Sequence, residues 1–155
     1  MKFENMEAIV DFAIEKEIEA AEFYSNLSNE ENFSGSSKMF AEFAEEERKH
    51  QELLEDFKTK GITQSMQDYH LEWITDIKRS DYVVELEYQK GMAYNEILML
   101  AMKREEKALK LYNDFLAQAD TEEGKKLFKI LCQEEAKHKL SLETMYDDYM
   151  AKMGD

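Results

Sequence analysis

Two tetrapeptides carry the chemistry of this chain: Glu47-Arg48-Lys49-His50 and Glu135-Ala136-Lys137-His138, one Glu-x-x-His each, 88 residues apart. At the same offset Glu17 pairs with Glu105, Ala20 with Ala108 and Tyr24 with Tyr112. Residues three apart on a helix share a face, so Glu47 with His50, and Glu135 with His138, can each hold one metal ion from adjacent turns. Glu17 and Glu105 would come from two further helices. Four carboxylates and two imidazoles are the ligand inventory of a two-metal site inside a four-helix bundle. Each metal would have one nitrogen and several oxygen donors, with carboxylates available to bridge. That donor set suits iron or manganese, whereas a structural zinc site normally uses Cys and His. One Glu-x-x-His on an acidic helix is a weak signal and is commonly solvated charge. Two copies in register, each with a matching Glu and Tyr, are far more specific.

Tyr24 and Tyr112 follow Glu17 and Glu105 by two helical turns, so each shares its glutamate's face. A phenol there either donates a hydrogen bond to a ligating carboxylate or packs as an ordinary core aromatic, and the spacing leaves both open. Glu46 and Glu134 also repeat; they could orient the neighbouring ligands, but solvated helix surface is the reading preferred, and Glu42 and Glu45 read as exposed or flanking surface. Cys132 stands where the first half has Ala44 and reads as a small core residue. Tyr69, His70 and Trp73 read as covering residues, and the methionines as gap-fillers.

The elements that must position these groups are helices. The 155 residues contain no proline and only five glycines, which favours long uninterrupted helices. They suit one domain, 1–155, with a single core. Apolar spacing through Ile9, Phe12, Ala13, Ala20, Phe23, Tyr24 and Leu27 predicts a first helix over about 5–28. A polar break at 32–37 precedes a second helix over about 36–60, which Gly61 is placed to end. Weaker periodicity from Gly61 to Met92 predicts a long crossover with some short helix of its own. A third helix is expected over about 93–119. After a break at Ala119-Asp120-Thr121, with Asp120 or Thr121 as N-cap, a fourth runs to about Lys152. Short breaks join antiparallel neighbours, and a connection of this length can return along a helix of about 38 Å. The expected fold is therefore all-α: a four-helix bundle of two antiparallel helical hairpins joined by a long crossover.

The formal charge is −15. Such a surface disfavours nucleic acid and anionic membrane, which need cationic neutralisation. Part of the acidity would be cancelled by two divalent metals. One cysteine excludes an internal disulfide framework and paired Cys-x-x-Cys metal sites. No segment approaches a membrane span, and no positive region followed by an apolar run opens the chain. The expected location is cytoplasmic.

On Ala13-x3-Glu17-x2-Ala20-x2-Phe23-Tyr24, Glu47-x2-His50, Ala101-x3-Glu105-x2-Ala108-x2-Leu111-Tyr112 and Glu135-x2-His138, the chain resembles the rubrerythrin-like branch of ferritin-like di-iron carboxylate proteins. The resemblance covers both hairpins. It implies a ferritin-like bundle, two Fe ions held by Glu17, Glu47, His50, Glu105, Glu135 and His138, and reduction of hydrogen peroxide or dioxygen, or oxidation of Fe(II). Mn, Zn or another divalent metal could occupy the same ligands. Rubrerythrins proper also carry a rubredoxin domain with four cysteines, which this sequence lacks, so electrons would come from a separate donor protein. They carry a further carboxylate on the third helix, one turn beyond its first Glu ligand and linked to peroxide chemistry. Ala108 stands there, leaving a more symmetric six-residue set. The expected function is a non-haem di-iron oxidoreductase. The alternatives are a ferroxidase or iron-binding protein and a metal-free helical interaction module. Amphipathic bundles often extend their packing into dimers, so a homodimer is a further expectation.

Overall fold

A computed structural model describes residues 5–30, 36–72 and 91–153. Its elements are α1 (Met6–Glu30), α2 (Ser36–Lys60), a short α3 (Gln64–Asp68), α4 (Tyr94–Gln118) and α5 (Glu122–Met153). The helix starts have local causes. Asn5 Oδ1 accepts from the Ala8 amide at 2.9 Å, Thr63 caps α3, and Thr121 Oγ1 accepts from the Gly124 amide at 3.0 Å. Each side chain takes up a backbone donor that the first turn leaves unpaired. At the start of α4 the Ala93 amide instead donates to Glu96 Oε1 at 3.3 Å. Gly61 ends α2 at a φ of 72°, a left-handed conformation that glycine adopts without Cβ strain, and its amide returns to the Phe57 carbonyl at 2.9 Å.

Cross-helix contacts set the directions. Ser37 Oγ donates to the Ser28 carbonyl at 2.6 Å and Lys58 meets Asp11 at 2.6 Å, so α1 and α2 are antiparallel. Tyr94 packs on Tyr149 and Tyr112 on Phe128, so α4 and α5 are antiparallel too. Tyr24 reaches Glu105 and Tyr112 reaches Glu17, which makes α1 and α4 antiparallel neighbours. It follows that α2 and α4 point the same way. The end of α2 and the start of α4 therefore lie at opposite ends of the bundle, as the expected crossover topology requires and unlike an up-down-up-down bundle. α3 is the short helix of that crossover. Its Met66 is buried in the core formed with α1, α2, α4 and α5. Residues 73–90, including Trp73, lie outside the described residues.

The apolar interior is divided in two. One end holds Ile9, Ala13, Leu54, Tyr112, Phe115 and Phe128. The other holds Ile97, Ala101, Leu142, Tyr24, Leu27 and Phe40. At offset 88 each residue of the first set has its counterpart in the second, so the duplicated hairpins are related by a pseudo-twofold axis running between the two cores. The groups able to do chemistry lie at that boundary. No helix among the described residues is long and apolar enough to cross a membrane.

Candidate metal centre

The six expected residues converge from four helices. Glu17 (α1), Glu47 and His50 (α2), Glu105 (α4), and Glu135 and His138 (α5) are each at most 5% exposed. Their donor atoms form two sets, each spanning no more than 4.8 Å: Glu17, Glu47, His50, Glu135, and Glu47, Glu105, Glu135, His138. Glu47 and Glu135 belong to both. Glu17 with His50, and Glu105 with His138, belong to one each.

Both imidazoles turn the same nitrogen inward. His50 Nδ1 lies 3.0 Å from Glu135 and 3.5 Å from Glu17 and from Glu47. His138 Nδ1 lies 3.0 Å from Glu47 and 3.6 Å from Glu105. The outer nitrogens face carboxylates of the opposite hairpin. His50 Nε2 is 3.5 Å from Glu134, and His138 Nε2 is hydrogen-bonded to Glu46. An acceptor on the outer nitrogen fixes the ring's tautomer and orientation and makes the inner nitrogen a better donor to a metal. Glu46 and Glu134 are thus half-buried partners of the histidines, where the sequence suggested solvated surface. Their repetition in register had offered this orienting role as the other reading. Tyr69 donates to Glu134 and so does more than cover. Cys132, expected in the core, is only partly buried at the edge of one core cluster, and burial pushes its thiol up to about 11.

The two tyrosines cross over. Tyr24 Oη donates to Glu105 Oε1 at 2.5 Å, and Tyr112 donates to Glu17. Each phenol holds the carboxylate of the facing helix, not the one two turns before it on its own. Burial, followed by the nearby carboxylates, raises both phenols well above 10, so both remain hydrogen-bond donors. Phe40 and Phe128 stack on these rings, and Phe43 stacks on His138.

Burial and mutual proximity perturb the ionisation of Glu47, Glu105 and Glu135. Burial and the Glu17 charge push Glu47 up to about 8, and burial with Glu105 raises Glu135. Glu105 goes the other way: burial opposes ionisation, but hydrogen bonds with Glu135, His138 and Tyr24 outweigh it and hold the group near 2. Burial lowers both histidines, and carboxylate hydrogen bonds outweigh it and raise them. Glu17 Oε2, Glu47 Oε1, Glu105 Oε2, Glu135 Oε2 and His138 Nδ1 are buried without a hydrogen-bond partner. Leaving one such atom unpaired costs about 1–3 kcal/mol. Several pointing at one place fit divalent cations, which would satisfy them together.

The fold and this donor set define a helical-bundle carboxylate protein suited to a pair of metal ions. The chain belongs to the rubrerythrin family, whose model matches residues 8–146. Its structure is similar to that of a hypothetical protein from Pyrococcus furiosus, at 25% identity and a TM-score of 0.66, covering 93% of this chain and 89% of the other. Comparison with curated proteins returns no match.

Proposed function

We propose that Glu17, Glu47, His50, Glu105, Glu135 and His138 bind two iron ions, and that the protein reduces hydrogen peroxide or dioxygen with electrons from a separate donor protein. The observation that carries this reading is the pair of four-donor sets sharing Glu47 and Glu135. Glu47 and Glu135, shared between the sets, would hold two metals near each other, and the oxygen-rich donors suit iron or manganese. A bound pair of Fe(II) ions supplies two electrons, one from each metal, to a peroxide or dioxygen.

The chain's own residues supply the rest. Glu46, hydrogen-bonded to His138 Nε2, keeps that ring presenting Nδ1 inward, and the Glu134 carboxylate faces His50 Nε2 at 3.5 Å. Tyr24 and Tyr112 each hold one oxygen of Glu105 and Glu17, leaving the other for the metal. The apolar cores around Phe115 and Phe40 close the two ends of the site along the bundle. Protons that Glu47 and Glu135 retain without metal leave when metal binds. The acidic surface supports a protein that binds neither nucleic acid nor anionic membrane.

A ferroxidase would use the same ligands and keep the oxidised iron. Ala108, where rubrerythrins carry a further carboxylate, favours that second reading. The deciding experiment loads the protein anaerobically with two equivalents of Fe(II) and follows oxo-bridged ferric absorption after adding H2O2 or O2. Faster oxidation by peroxide is the peroxidase outcome, and faster oxidation by O2 is that of an oxidase or ferroxidase. If no Fe(II) binds, the metal reading falls and an interaction module replaces it.

A further inference from the structure

The four carboxylates of the cluster floor a cavity of about 380 Å³ between α1 and α4. A water molecule's share of liquid volume is about 30 Å³, so dioxygen or peroxide would leave most of this space unfilled. The volume instead falls in the range of sites for organic ligands, about 300–1,000 Å³. Apolar side chains, Phe12, Leu100 and Leu111, make its walls. Ala20 and Ala108, duplicate positions on the facing helices, also line it and are only half-buried. Their short side chains leave the space above the carboxylates open.

The lining changes sign from inside to outside. Glu17, Glu47, Glu105 and Glu135 are buried and form the inner end. Lys16, Arg104 and Lys107 are exposed and Lys103 is half-buried, so these four cations form the mouth. One exposed carboxylate, Glu19, also lines it and pairs with Lys16 at 3.3 Å. Lys103 is 3.5 Å from Glu106, and the Arg104 guanidinium lies 4.2 Å from the centre of the Phe23 ring. In a chain of net charge −15 this is a local reversal. It arises where the duplicated halves differ: Lys103 and Lys107 occupy the positions of Glu15 and Glu19 in the first half. A cationic mouth draws anions and repels free metal ions.

We infer that this cavity binds a small amphipathic carboxylate, its apolar body between Phe12, Leu111 and the two alanines and its head group at Lys103, Arg104 and Lys107. The inference rests on the two-metal reading, because bound divalent ions are what neutralise the carboxylate floor. Metal and ligand then favour each other's binding, reciprocally.

The test uses protein loaded with redox-silent Zn(II), with metal stoichiometry measured first and binding then read by titration calorimetry. Octanoate is expected to bind saturably at one per chain, octanol about tenfold more weakly, and octylammonium not at all. The triple variant Lys103→Gln/Arg104→Gln/Lys107→Gln should weaken octanoate to the octanol level and leave octanol unchanged. Ala108→Phe should weaken both by filling the cavity. If two Zn(II) bind and octanoate does not, or octanoate keeps full affinity in the triple variant, the inference is overturned and the metal reading stands. If Zn(II) itself fails to bind, both fall.

Discussion

The floor of the cavity and its mouth are built from the same duplicated hairpin, yet only the floor is symmetric. At the floor Glu17 matches Glu105, Tyr24 matches Tyr112, and the two Glu-x-x-His units match each other. At the mouth the halves differ: Lys107 stands where the first half has Glu19, and Lys103 where it has Glu15, which does not line the cavity. The floor has to present two equivalent donor sets, so both halves need the same side chains at the same register. The mouth meets whatever enters, and nothing in its chemistry requires two equal halves. Symmetry here marks the residues that a two-metal site needs, and its loss marks those that choose what reaches it.

Within the floor the carboxylates differ in how much depends on them, which offers the sharpest way to break the symmetry argument. Glu47→Ala or Glu135→Ala removes a ligand common to both donor sets and should abolish stable loading of two metals. Glu17→Ala or His50→Ala removes a ligand from one set and should leave about one metal bound per chain. Elemental analysis after anaerobic loading reads the difference. If all four variants bound two metals, the ligand assignment would be wrong.

Metal loading should also reverse the pH dependence of stability. Without metal, Glu47 is raised from 4.5 to about 8, and Glu135 and both histidines are raised as well. Between those values the folded protein holds more protons than the unfolded chain. Stability must then fall as pH rises. The metal-free thermal midpoint should accordingly drop from about pH 4.5 to about pH 8. Glu105, held near 2, contributes in the opposite sense, and its stabilisation is lost only as pH falls from about 4.5 towards 2. Bound metals displace the extra protons, so the loaded protein should strengthen across the range where the metal-free form weakens. At a free metal concentration a hundred times Kd the gain is about 2.7 kcal/mol. Parallel pH profiles for the two forms would show that these groups do not meet the metals.

Much of this arrangement is legible in the sequence, and the exceptions share one cause. Helix ends were legible at Gly61 and Thr121 because caps are local chemistry. The six residues that converge were legible as a set because each Glu-x-x-His is a one-helix spacing and the whole set repeats in register. Groups that act across helices were not. Tyr24 shares a face with Glu17, but its hydroxyl reaches Glu105 because α1 and α4 run antiparallel side by side. Glu46 sits next to a ligand and so points away from its own helix's site, towards His138 on α5. The cationic mouth needs Lys16 and Arg104 from two helices to be seen at all. α1 runs to Glu30, two residues past the expected end near Ser28, a difference within the usual fraying of helix ends.

The tyrosines test how far the pseudo-twofold reaches beyond the metal ligands. Tyr24→Phe and Tyr112→Phe each remove one donor to a ligating carboxylate and should weaken metal binding by similar factors, on the order of tenfold. Competition with a chelator of known affinity reads both. Unequal losses would mean that the two metals sit in inequivalent surroundings despite their matching ligands.

The histidine partners should be unequal for a visible reason. Glu134 is 25% exposed and receives a hydrogen bond from Tyr69, a crossover residue. Glu46 is 46% exposed. The His50 and Tyr69 bonds hold the Glu134 carboxyl near 2, against burial. Burial makes a fixed charge more effective, so Glu134→Gln should weaken metal binding more than Glu46→Gln. Tyr69→Phe removes only the far end of the Tyr69–Glu134–His50 chain. Its expected cost is the net value of one partly exposed hydrogen bond to a carboxylate, about 1 kcal/mol or less, and it should appear in the Glu134 half alone. A double-mutant cycle between Tyr69→Phe and Glu134→Gln, read by thermal unfolding of the metal-loaded protein, isolates that bond. Coupling confined to this pair, and absent between Tyr69→Phe and Glu46→Gln, would place the remaining asymmetry of the floor in the crossover and not in the duplicated hairpins.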